Sequence, residues 1–169
     1  TFTCDCGFTY AEDYVNPTGH TDNDSDKYCD SCYEYIGIDT GVFGNKFVWT
    51  FDDVTGTLTI SGSGAMSHYG TNAPFKAYKD DIKVVVINEG ITEISDYAFY
   101  SYGSITDVII HNGVTKIGFS SFENCYQLTT VTIPDSITHI DNYAFYSCYK
   151  LRNVKYSGSI EQWREITID

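Results

Sequence analysis

Four of the six cysteines fall within the first 32 residues, as Cys4-Asp5-Cys6 and Cys29-Asp30-Ser31-Cys32, with His20 between the pairs. A CxxC knuckle facing a second cysteine pair suits tetrahedral zinc, and the His20 imidazole can replace one thiolate. The first pair is CxC, a less usual spacing. The same four thiols equally suit two disulfides in an oxidising compartment. The expectation is therefore one structural zinc held among Cys4, Cys6, His20, Cys29 and Cys32, with two disulfides as the rival and free thiols as a third state. Asp22, Asp24 and Asp26 alternate like the first ligands of a calcium loop. Lys27 stands where such a loop needs glycine, and Tyr33 where it needs glutamate, which excludes a full EF-hand.

Elsewhere the chain holds little catalytic chemistry. Cys125 and Cys148 lie 23 residues apart and read as buried thiols acting as small apolar residues. Neither has a histidine at a matching position. Asp52-Asp53 and Asp80-Asp81 are adjacent carboxylates at turns, where neighbouring side chains point apart and make poor acid–base pairs. There is no GxSxG, HExxH, phosphate loop or dinucleotide motif. The expectation is a protein that is not an enzyme.

These groups sit on a chain that repeats itself. From Ile82 it reads IKVVVINEGITEISDYAFYSYGS, then ITDVIIHNGVTKIGFSSFENCYQ, then LTTVTIPDSITHIDNYAFYSCYK, followed by a divergent copy, LRNVKYSGSIEQWREITI. A fixed period of 23 residues is the mark of a leucine-rich-repeat solenoid. Columns 4 (Val85, Val108, Val131, Val154) and 6 (Ile87, Ile110, Ile133, Tyr156) are two residues apart, so both face one side of a short strand. Columns 10 (Ile91, Val114, Ile137, Ile160) and 13 (Ile94, Ile117, Ile140, Trp163) close the coil. Column 18 (Phe99, Phe122, Phe145) fills its far end. Upstream, KFVWTF and TLTISG alternate around DDVTG and read as a hairpin.

Charge is the other bound. The chain carries a net charge of -13, and residues 1–40 hold nine acids against the single base Lys27. Phosphate-rich partners are bound by Lys and Arg, so nucleic acid and anionic membrane surfaces are excluded as partners. No run of 18 apolar residues appears, so no membrane insertion is expected.

The strings ITEISDYAFY, VTIPDSITHIDNYAFYSC and VKYSGSIEQWREITI resemble the BspA-type, Treponema-pallidum-like leucine-rich repeat of bacterial surface proteins. VWTFDDVTGTLTISGSGAMSHY resembles the cap that often precedes it. The departures are Tyr102, where later copies have cysteine, and GFSSF at 118–122, where the other copies read DYAF or NYAF. The resemblance implies a secreted or cell-surface-attached bacterial protein, extracellular and often adhesive, with no catalytic residues.

The resulting expectation is a solenoid of short stacked strands, mainly β, in three parts. Residues 1–40 are a small acidic Cys-rich module stapled by zinc or disulfides, 41–81 a β-hairpin cap, and 82–169 the leucine-rich-repeat solenoid. Two surfaces are candidates for contact with a protein or glycan ligand. Columns 3 and 5 flank the inward strand positions, so Val84, Val86 and Ile109 form an apolar patch on the exposed face. Tyr97, Tyr100, Tyr143 and Tyr146 recur at coil spacing along one flank. Adhesion or binding by a monomer is the favoured function. A structural spacer and an accessory domain of a larger secreted enzyme are the alternatives.

Overall fold

The computed structural model describes residues 38–43 and 46–169, together with two short strands near the start of the chain, β1 (Phe2–Thr3) and β2 (Thr9–Tyr10). The chain divides into two compact units, 1–39 and 40–169. In the first, β1 and β2 pair antiparallel, Phe2 with Tyr10 and Thr3 with Thr9. The zinc or disulfide site expected at Cys4, Cys6, His20, Cys29 and Cys32 lies outside the described residues.

The second unit is a solenoid with two sheets, one of them wholly parallel. In strands β3 (Ile38–Phe43), β4 (Phe47–Asp52), β5 (Thr57–Gly62), β7 (Val84–Ile87), β9 (Asp107–Ile110), β11 (Thr130–Ile133) and β13 (Asn153–Tyr156), neighbours in sequence order pair to form a seven-stranded sheet. A second sheet runs through β6 (Gly64–Ala65), β8 (Ile91–Ile94), β10 (Lys116–Ile117), β12 (His139–Ile140) and β14 (Thr167–Ile168). All contacts from β5 onward are parallel, and β4–β5 is an antiparallel pair with Trp49 opposite Ile60 and Phe51 opposite Leu58.

The period-two pattern does what it predicts in the first three copies. Val85, Ile87, Val108, Ile110, Val131 and Ile133 are all buried, while the residues between them face outward. The coil length is fixed by bonds between equivalent positions. Thr106 and Thr129 donate their hydroxyls to the carbonyls of Lys83 and Thr106, and Thr115 and Thr138 to those of Thr92 and Thr115, each 23 residues back. On the third side of the coil, Tyr97, Phe99 and Ser101 donate backbone N–H groups to the carbonyls of Phe119, Ser121 and Glu123 in the next coil. The side without a sheet is thus also hydrogen-bonded coil to coil.

The column-18 rings form a stack longer than the repeats suggest. Phe99 lies on Phe122 at 5.0 Å and Phe122 on Phe145 at 5.4 Å, within 10° of parallel. Phe75 extends the stack, 5.4 Å from Phe99. The segment 57–81, read from sequence as part of a cap, therefore closes a coil of its own. Leu58 and Ile60 pair in register with Val85 and Ile87, and Phe75 occupies the phenylalanine position. Its wider spacing to the next copy, 27 residues from Thr57 to Val84, hides it from a 23-residue search.

The divergent copy departs from expectation at its inward positions. Val154 and Ile160 are exposed and Trp163 is only half-buried. Among the described residues no further coil covers β13. Ile160 also begins a helix, α1 (Ile160–Glu165), where the earlier copies have a strand. Ser159 caps that helix in a reciprocal capping box with Gln162, which locally favours helix over strand.

Phe122 is sandwiched between two rings and fully buried, whereas Phe145 has a ring on one side only and is partly exposed. Phe122→Ala should cost about 3–5 kcal/mol in chemical denaturation, and Phe145→Ala distinctly less. Equal costs, or a loss below about 1 kcal/mol at Phe122, would contradict the stack as the core of the coil.

Candidate functional site

The four tyrosines singled out from sequence lie on one flank, Tyr97 and Tyr100 in the turn after β8 and Tyr143 and Tyr146 in the turn after β12, with the turn after β10 between them. Each turn reverses direction through two residues in the left-handed region. These are Tyr97 and Ser101 in one coil, Ser120 and Asn124 in the next, and Tyr143 and Ser147 in the third. Left-handed backbone costs a non-glycine residue about 1–2 kcal/mol. The inter-coil hydrogen bonds offset it, since Ser101 and Asn124 donate to the carbonyls of Glu123 and Tyr146, and Ser120 to that of Asn142. At columns 16 and 19 the first and third coils carry Tyr97, Tyr100, Tyr143 and Tyr146, and the middle coil carries Ser120 and Glu123.

That departure shapes a groove of about 570 Å3. Phe119, where the neighbouring coils have Asp96 and Asn142, swings its ring between the tyrosines. The rings run Tyr100–Tyr97–Phe119–Tyr143–Tyr146 with centroid separations of 5.9, 5.4, 5.6 and 5.5 Å. Successive planes meet at 71°, 66°, 87° and 81°, so faces and edges alternate along one curved wall. The Phe119 position is set by its N–H, which donates to Asp96 Oδ1 at 2.9 Å. Glu123 lies in the gap between Tyr100 and Tyr146, and its carboxylate makes no ion pair with another described residue. Ser120 is buried at the groove floor with an unpartnered hydroxyl. Tyr143 and Tyr146 are more than half exposed. Sequence inspection found the tyrosines but neither Phe119 nor Glu123; the signal was the GFSSFE departure itself.

The other expected surface is less open. Val84, Val86 and Ile109 do face outward on the seven-stranded sheet, but they are half-buried rather than an exposed patch. Register explains this. Thr59, Val86, Ile109 and Thr132 form one cross-strand row and Thr57, Val84, Asp107 and Thr130 another, so each apolar side chain is flanked by a threonine or aspartate one strand away.

Two further clusters carry titratable groups. Cys125 and Cys148 donate their thiols to the carbonyls of Phe99 and Phe122 at 3.4 and 3.2 Å. The contact with Cys148, followed by burial, pushes the Cys125 thiol well above its usual range and disfavours the thiolate. On the second sheet, His139 Nε2 lies 2.9 Å from Asp141 and 3.0 Å from Asp169, and Lys116 Nζ lies 2.8 Å from Asp141. Ligand atoms of His139, Asp141 and Asp169 fall within 4.8 Å of one another, a spacing that could hold a divalent ion. Lys116 already supplies a positive charge there. Burial works against ionisation of Asp141, but hydrogen bonds from Lys116 and His139 outweigh it and hold this carboxyl below the usual range.

A family model for the BspA type leucine-rich repeat region matches residues 72–167 in six copies. The chain belongs to that family. Among solved structures, the chain resembles a leucine-rich repeat protein from Eubacterium ventriosum, at 24% identity and a TM-score of 0.51 over 72% of this chain and 44% of that one. It also resembles a leucine-rich cell surface protein from Faecalibacterium prausnitzii, at 21% identity and a TM-score of 0.50 over 73% and 41%. A Treponema pallidum leucine-rich repeat protein matches at 20% identity and a TM-score of 0.42 over 67% and 48%. The chain thus spans less than half the length of each. A search of the curated proteins finds no match. The family match begins ten residues before Ile82, within the coil headed by Phe75. No helix among the described residues is long and apolar enough to cross a membrane.

A carboxyl held below its usual range stabilises the fold above the unfolded carboxylate value, near pH 4, and that contribution disappears as pH falls through the folded value. Asp141→Asn should therefore lower the unfolding midpoint at neutral pH, with the gap to wild type closing below about pH 4. A gap unchanged down to about pH 3 would contradict the Lys116–Asp141–His139 pairing.

Proposed function

We propose that this chain is a non-enzymatic binding module of an extracellular, surface-attached bacterial protein, and that the tyrosine-lined groove on its flank is the contact surface. Membership of the BspA-type family supports a surface and interaction role. The observation that carries the reading is the groove itself. It gathers five aromatic rings, two of them more than half exposed, with an unpaired carboxylate between them. Exposed tyrosines give large contact area at low cost in side-chain entropy and commonly dominate binding energy. Strands β3 and β4 serve as the cap of the first coil in this reading, with Phe43, Phe47, Trp49 and Phe51 buried against it. The module acts as a monomer, and its net charge disfavours nucleic acid as a partner.

The test is attachment to an array of host extracellular proteins and glycans, comparing wild type with Tyr100→Ser/Tyr146→Ser and with Val86→Asp/Ile109→Asp. The tyrosine variant should keep its folding stability within about 0.5 kcal/mol per substitution and lose attachment by at least about tenfold. The strand-face variant should retain attachment. Equal attachment by wild type and the tyrosine variant would remove the groove as the contact surface. Attachment by neither, on any surface in the array, would replace the binding reading with that of a spacer.

A further inference from the structure

The groove has a chemical bias that narrows what it can take. Its wall is made of ring faces and edges, and ring faces present negative quadrupole potential. The one charged group lining it is the Glu123 carboxylate, set between Tyr100 and Tyr146. No lysine or arginine lines it, and the unit that carries it, residues 40–169, holds 14 acids against nine bases. Every electrostatic element on the page therefore favours a cation and opposes an anion. The rings from Tyr100 through Phe119 to Tyr146 meet edge to face, so the wall presents both ring faces and ring edges to a group seated in the groove. A compact, weakly hydrated cation gains most from such a wall, because it gives up little solvation on leaving water.

The backbone around the groove argues against an extended peptide held by strand addition. The N–H groups of Tyr97, Phe99, Ser101, Ser120, Phe122 and Asn124 all donate to the adjoining coil, so no run of free donors faces outward.

We infer that the groove bounded by Tyr97, Tyr100, Phe119, Glu123, Tyr143 and Tyr146 binds a quaternary ammonium group. This rests on the reading of the groove as a contact surface and names the chemistry it selects. Cation–π contact with the rings would supply most of the attraction, and Glu123 would add a charge partner on one side.

The decisive comparison is between choline and 3,3-dimethylbutan-1-ol, its uncharged carbon isostere, titrated into the intact chain at constant ionic strength and followed by the NMR signals of the tyrosine rings. Choline should shift those signals saturably and bind at least about fivefold more tightly than the isostere. Glu123→Gln should weaken choline about fivefold and leave the isostere unchanged. Tyr146→Ser should weaken choline while keeping the unfolding midpoint. If the isostere binds as well as choline, or choline shifts nothing, the inference fails. Saturable binding of a neutral oligosaccharide such as cellohexaose in the absence of any choline effect also overturns it. Two further arms place the group once choline binds. Pelleting with phosphatidylcholine vesicles assigns it to a bilayer, and retention on phosphocholine resin without pelleting assigns it to a soluble or glycan-borne headgroup. If the tyrosine variant loses attachment in the array but choline does not bind, only the ammonium inference fails. If attachment is unaffected, the contact-surface reading fails with it.

Discussion

Each residue of this solenoid must tolerate a near-copy of itself stacked one strand spacing away, about 4.8 Å. The parallel ladders impose this, and nearly everything else follows from it. Threonines at two columns bond to the carbonyl of the coil before them. Phenylalanines at column 18 stack with almost parallel planes, an arrangement in which flat rings repeat at about that distance without a void. Even the left-handed turns are tolerated because equivalent turns bond to one another.

Under such a constraint, a departure in one coil cannot be absorbed locally. The middle coil carries Ser120 and Glu123 where its neighbours have tyrosines, and Phe119 where they have Asp96 and Asn142, and the neighbours' rings close around the change. A hollow results that no single repeat contains. It is floored by one coil and walled by two others, and its carboxylate makes no ion pair among the described residues. The regular part of the fold supplies rigidity, and the irregular part is where the hollow forms.

Much of the architecture was legible in the sequence because stacking forces it into the letters. The inward columns Val85/Val108/Val131 and Ile87/Ile110/Ile133 alternate with outward residues, and that alternation is a physical requirement of a half-buried strand. The coil headed by Phe75 was not legible, since it keeps the core positions Leu58, Ile60 and Phe75 but changes the loop lengths between them. Ile160 was read as closing the coil because its column matched, while the Ser159–Gln162 box beside it specifies a helix and leaves Ile160 exposed. At the groove, the tyrosine spacing pointed to the flank. That Phe119 would turn its ring between Tyr97 and Tyr143 depends on a backbone bond to Asp96 across coils, which no spacing reveals.

The most direct measurement of the self-stacking constraint is to duplicate one coil. Insertion of a second copy of residues 105–127 after Gln127 adds a unit whose every column meets its own kind. In a nearest-neighbour solenoid it adds one repeat and one interface. A single cooperative unfolding transition with a higher midpoint than wild type is predicted, and the same insert shortened by one residue should unfold at a lower midpoint. Equal stability of the 23- and 22-residue insertions, or loss of folding with the full coil, would contradict the account.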